Sequence, residues 1–116
     1  MSKYRAVKTQ VDGHWFASGR EARRYSELKL LERAGHIRNL ELQPKFLFSI
    51  NGRPVLSRSE RYPNGRQLKM VADFRYIDAK RECTVWEDSK GFRTKEFILK
   101  KAFFEALNPG CILEEV

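Results

Sequence analysis

The segment Val85-Trp86-Glu87-Asp88-Ser89-Lys90 places a carboxylate two residues before a lysine, and Gly91 follows at once. On a strand, alternation puts Trp86, Asp88 and Lys90 on one face and Val85, Glu87 and Ser89 on the other. Asp88 and Lys90 are then neighbours: the carboxylate can ligate a divalent cation while the ammonium approaches an attacked phosphate or its water. Glu87 beside Asp88 offers a second choice of carboxylate, and the face argument favours Asp88. A further acid, Asp73, stands among Met70, Val71, Ala72, Phe74 and Tyr76, where strand propensity does not favour it. Two carboxylates from adjacent strands make a hard, all-oxygen site suited to magnesium or manganese rather than zinc.

The elements that must position these residues follow from pattern. Residues 68–77 and 84–90 read as strands joined by the polar turn Asp78-Ala79-Lys80-Arg81, an antiparallel hairpin that sets Asp73 broadly opposite Asp88. Upstream, Ser18-Gly19-Arg20-Glu21 has capping-box spacing, and Ala22, Tyr25, Leu28, Leu31 and Ala34 recur every three residues. A helix over 19–34, ending at Gly35, is expected. Glu21 in its first turn either completes the acidic site or simply bonds back to the Ser18 backbone as a cap.

Before that helix, Asp12-Gly13 predicts a hairpin of residues 4–10 and 14–17. After it, residues 37–50 alternate as a bent strand or two short ones, interrupted by Pro44. Gln43 there either reaches the site as an amide or marks a bulge. Residues 53–69 carry Arg53, Arg58, Arg61, Arg66 and Lys69 against Glu60 alone and read as a basic, mobile hairpin or loop. Thr94 caps a helix over 95–107 with Phe97, Ile98, Ala102, Phe104 and Leu107 apolar, Asn108-Pro109-Gly110 stops it, and residues 111–116 add a last short strand. Trp86 and the phenylalanines at 97, 103 and 104 read mostly as core. The fold class expected is α/β, a mixed α+β sheet flanked by helices, in one domain spanning 1–116.

A net charge of +8 suits a polyanionic partner, DNA or RNA, better than a small neutral metabolite. Arg20, Arg23 and Arg24 on the first helix, with Lys100 and Lys101 on the second, either meet phosphates or are merely solvated. Cys83 and Cys111 match no metal spacing and read as reduced thiols of a cytoplasmic protein. No apolar run approaches the roughly 20 residues of a membrane span, and the first ten residues lack a secretory h-region, so no membrane partner is expected.

In order, a helix Glu, a strand Asp and then Asp-Ser-Lys resemble the PD-(D/E)XK, restriction-endonuclease-like nuclease superfamily. The segments 4–6 (Tyr-Arg-Ala), 18–32, 42–44 (Leu-Gln-Pro), 72–76 and 87–91 are similar to a small phage-encoded nuclease-like group. That resemblance implies an αβββαβ core behind an N-terminal β-hairpin, and a Mg2+-dependent (or Mn2+-dependent) endodeoxyribonuclease acting in phage DNA recombination, with branched or Holliday-junction DNA as one substrate. It implies that Asp73, Asp88 and the Ser89 carbonyl hold the metal, that Glu21 helps bind it or a second ion, and that Lys90 serves the attacking water. DNA contacts are expected from Arg20, Arg24, Arg53, Arg58, Arg61, Arg66, Lys100 and Lys101. Ala72 departs from the superfamily's proline, which does no chemistry. A homodimer would set two sites on two strands. The competing expectation is a non-catalytic nucleic-acid-binding accessory protein with the same fold.

Overall fold

The computed structural model describes residues 7–89 and 94–116. It is a mixed α+β fold of two helices, a four-stranded mixed sheet and small hairpins. Strands β1 (Thr9–Val11) and β2 (His14–Phe16) form the N-terminal hairpin. Asp12 and Gly13 both have positive φ, 52° and 79°, the backbone that a tight two-residue turn between twisted strands requires. The expected first strand began at Tyr4; residues 4–6 lie outside the described residues, and the pairing starts at Thr9.

Helix α1 (Gly19–Arg33) starts where Ser18 Oγ accepts the Glu21 N–H at 3.2 Å. It stops in a Schellman motif: the N–H of Gly35 donates to the Glu32 carbonyl and that of His36 to the Leu31 carbonyl, with Gly35 at φ 83°. Ala22, Tyr25 and Leu28 face inward and pack with Phe16 of the hairpin and with Ile37, Phe74, Tyr76 and Val85 of the sheet.

Strand β3 (Ile37–Leu42) ends at Gln43, whose φ of 52° takes the chain out of the main sheet. Instead of one bent strand or two, residues 37–50 make three pieces: β3, β4 (Lys45–Leu47) and β5 (Ser49–Ile50). The basic segment is a set of short antiparallel ladders rather than a loop. It contains β6 (Arg53–Pro54), β7 (Leu56–Ser57) and β8 (Arg66–Gln67), with β5 on β6, β7 on β8, and β4 on β9 (Lys69–Val71). Its inner anchor is the fully buried Phe48, whose N–H donates to the Leu68 carbonyl and whose carbonyl accepts from Val55. We call residues 45–71 the arm.

Residues 68–77 are likewise not one strand. Beyond β9 the chain leaves the arm at Ala72 and Asp73 and re-enters the main sheet as β10 (Phe74–Asp78), which runs antiparallel to β3 and to β11 (Cys83–Asp88). The physical reason is a change of partner: the Ala72 N–H donates to Pro44 of the arm's base, and the Asp73 N–H to Glu87 in β11. Helix α2 (Lys95–Leu107) then leads to β12 (Cys111–Glu115), parallel to β11, and the sheet order is β12-β11-β10-β3.

On the side of the sheet away from α1, Trp86, Ala72 and Leu113 pack with Phe104 of α2 and with Phe48 and Met70 of the arm. Edge-to-face contacts of Phe104 with Phe46 at 5.1 Å and with Trp86 at 5.2 Å each add about 1 kcal/mol beyond burial. Only part of the apolar face expected of α2 turns inward: Phe97 and Phe104 are buried, while Ile98, Leu107 and also Phe103 are exposed. Apolar residues circle more of this helix than one contact face can cover. Among the described residues no helix is long and apolar enough to cross a membrane.

Candidate active site

The β10–β11 ladder ends at the pair Phe74 and Glu87; Asp73 stands just before that pair, its N–H donating to the Glu87 carbonyl, and Asp88 stands just after it. Alternation along β11 puts Asp88 on the face of Trp86, opposite to Glu87, at the end of the sheet where the chain enters β10 and leaves β11. Asp88 is buried, and Asp73 is half-buried. The Ser89 N–H and hydroxyl both donate to Asp73 Oδ2, at 2.8 and 2.6 Å, which fixes that carboxylate from the next strand.

Glu21 approaches from the start of α1 and is only 7% exposed. Burial pushes its carboxyl above the usual range, and the charges of Asp73 and then Asp88 push it the same way. Gln43 opposes them: its Nε2 donates to Glu21 Oε1 at 3.1 Å, while a backbone contact with Ala17 also favours the ionised form. Of the capping box, the half given by Ser18 is present, with the Glu21 N–H on Ser18 Oγ, while the Glu21 carboxylate turns to Gln43 and the Ala17 backbone rather than back to the Ser18 backbone. Gln43 ends β3 at a positive φ and its amide reaches Glu21, while the register shift of the β3–β10 pair lies elsewhere, between Arg75 and Ile77.

Glu87 has a different place. It is fully buried on the α1 side, where Arg24 Nε and Nη2 donate to its two oxygens at 2.8 and 2.7 Å, and the Tyr76 hydroxyl donates to Oε2. This bidentate pair drives the guanidinium further toward its charged form, and burial with Glu87 beside it raises the Tyr76 phenol. Sequence reasoning passed over this network. The available signal was an acid alternating with Val85 on the core face of a strand, which demands a buried partner.

The basic residues divide. Arg24 is committed inward, Lys100 pairs with Glu96 at 2.8 Å, and Lys101 pairs with Glu115 at 3.2 Å. Arg20 is exposed on α1, and Arg53, Arg58, Arg61 and Arg66 are exposed on the arm, with Arg61 and Arg66 lying over the Tyr62 ring. Lys90 lies outside the described residues.

Among the described residues no three His, Cys, Asp or Glu side chains are gathered closely enough to hold a metal ion by themselves. Magnesium does not need three, because it keeps several waters and is bound through one or two carboxylates. Asp73, Asp88 and Glu21 carry oxygen donors of the hard type that such an ion takes.

Fold and site together define a mixed α+β protein with a partly buried acidic group at one end of its sheet. The chain belongs to the family described as Protein of unknown function (DUF1064), which it matches over residues 1–111. No curated protein and no solved structure matches it.

Proposed function

We infer that the protein is a divalent-metal-dependent DNA endonuclease with a restriction-endonuclease-like αβββαβ core. The observation that supports this reading is that Asp73 and Asp88 flank the last pair of the β10–β11 ladder, with Ser89 donating twice to Asp73 and the Glu21 carboxylate near enough to feel both charges. The order α1, β3, β10, β11, α2, β12 agrees with it, once the arm is taken as an insertion between β3 and β10.

Asp73, Asp88 and the Ser89 carbonyl would hold Mg2+ or Mn2+, with Glu21 beside them. Bound there, such an ion polarises a phosphoryl oxygen and lowers the pKa of its water. The chain's own contributions are positional and electrostatic. Ser89 holds Asp73 through two hydrogen bonds, Gln43 aims Glu21, and the burial of Asp88 keeps the site's local dielectric low. Lys90 offsets the charge that develops on the phosphate during phosphodiester hydrolysis. The exposed arginines of the arm supply attraction for the polyanion.

The test is cleavage of labelled duplex, single-stranded, flap, four-way-junction and RNA substrates with Mg2+ or Mn2+, comparing wild type with Asp88→Ala and Lys90→Ala. Metal-dependent cutting by wild type, and binding without cutting by both variants, is the expected result. DNA binding by a wild-type protein that cuts nothing would instead make this a nucleic-acid-binding accessory protein.

A further inference from the structure

Between the arm and the start of α2 lies an open cleft of about 700 Å³. Arg66 and Lys69 line it from the arm and Lys100 from α2, while Leu68, Met70 and Phe97 supply apolar surface. Both walls lead along the chain to the acidic site. Val71 on one wall is two residues before Asp73, and Thr94 on the other is five after Ser89.

We propose that this cleft receives an unpaired DNA strand, its phosphates on Arg66, Lys69 and Lys100 and its sugars and bases over the half-buried Leu68, with Met70 and Phe97 buried in the cleft's floor. The volume falls within the roughly 300–1,000 Å³ of sites that enclose small organic groups. Cations beside apolar surface suit a single strand, whose backbone is tracked by charge and whose unpaired bases carry apolar faces to cover. Arg66 is held ready for this, with its guanidinium over the Tyr62 ring at 5.0 Å. The one acid on the wall, Glu96, pairs with Lys100, and its side chain is 73% exposed, so Lys100 can exchange it for a phosphate at little cost.

The inference rests on the nuclease reading only for what happens to the strand, and it narrows that reading: the preferred substrate contains unpaired DNA, as branches and flaps do. The test is fluorescence anisotropy with a labelled oligothymidine, an oligouridine and a blunt duplex of equal length, in EDTA over a salt series. Wild type is expected to prefer the oligothymidine to both others. The R66A/K69A double variant should lose about 10-fold in oligothymidine affinity, and the slope of log K against log salt should fall by about 1.4 for two lost contacts, with duplex affinity nearly unchanged. R53A/R58A removes the same charge from arm positions outside the cleft and should leave the preference ratio intact.

An unchanged preference in R66A/K69A, or none in wild type, overturns the cleft assignment; preference for oligouridine overturns DNA as its ligand. Cleavage assays separate the two readings. If wild type cuts and R66A/K69A cuts single-stranded and branched DNA equally well, the nuclease stands and the cleft falls. If nothing is cut but the oligothymidine preference depends on Arg66 and Lys69, the cleft stands and the nuclease falls.

Discussion

Gln43 Nε2 lies 3.1 Å from Glu21 Oε1, and the same residue's N–H donates to the Asp73 carbonyl at 3.0 Å. One residue at the exit of β3 thus ties a helix carboxylate to the strand that carries the second acid. Gln43 itself is exposed, so truncating it leaves no cavity in the core. Gln43→Ala is expected to cut metal-dependent cleavage by about 10-fold, in the range for loss of a group that orients a metal-site carboxylate, with melting temperature nearly unchanged. Activity measured across a Mg2+ titration checks it; full activity at every Mg2+ concentration would remove Gln43 from the site.

The adjacent acids Glu87 and Asp88 should separate into two phenotypes. Glu87→Gln keeps the shape of the side chain but takes away the charge that Arg24 meets through two hydrogen bonds, which is expected to cost about 3 kcal/mol of stability. Asp88→Asn is expected to fold and to lose at least about 100-fold in cleavage. Urea unfolding and a cleavage assay on both variants decide the matter. The reverse pattern would move the metal site to Glu87.

Much of this was readable from local pattern. Ser18 to Glu21 marked the start of α1, Gly35 its end, and the polar turn after Asp78 fixed the pairing of β10 with β11, because each signal lies within a few residues of what it determines. The split at Ala72 and Asp73 was not readable. Apolar residues run from Leu68 to Ile77 interrupted only singly, by Lys69, Asp73 and Arg75, and only the partner strands, β4 for one half and β3 with β11 for the other, break the run in two. The pairing of Arg24 with Glu87 joins residues 63 apart, and no spacing rule reaches that far. The Gln43 contact was half readable: the break at Leu-Gln-Pro was visible, and the direction of the amide was not.

Glu32 gives the fold a specific acid sensitivity. It accepts the Leu40 N–H at 3.1 Å and the Lys29 ammonium at 3.1 Å, and these two contacts, the first the larger, hold its carboxyl below the ordinary value of 4.5. A depressed folded-state pKa means that the stabilisation is complete above the unfolded value and disappears as pH falls through the folded one. For a carboxylate that stays 29% exposed, a hydrogen bond of this kind is worth about 1 kcal/mol. Glu32→Gln should therefore be less stable than wild type by about that amount at neutral pH, and the difference should close as pH falls below the ordinary carboxylate range through the depressed folded-state value. Urea titrations at stepped pH values measure it, and a gap independent of pH would show that Glu32 acts through packing instead.

Gly65 tests the arm. Its φ is +94°, and a Cβ built there would stand 2.9 Å from Leu56 Cβ, an atom held close to the β7 backbone that cannot swing aside. Alanine at this position meets two penalties at once: about 1–2 kcal/mol for a left-handed backbone, and a collision that pushes β7 away from β8. Gly35, at φ +83° with nothing within 4 Å of its would-be Cβ, is the matched control that meets only the first. Gly65→Ala is expected to speed amide exchange at Val55 and Leu68, whose N–H groups close the arm's ladder, while Tyr76 and Val85 in the main sheet keep their protection. Gly35→Ala should lower the melting temperature slightly and leave the arm amides unchanged. Hydrogen exchange on the two variants distinguishes the cases: equal exchange throughout would mean that the arm yields to the added methyl without losing its pairing, whereas loss of protection in β10 and β11 as well would mean that arm and sheet unfold as one unit.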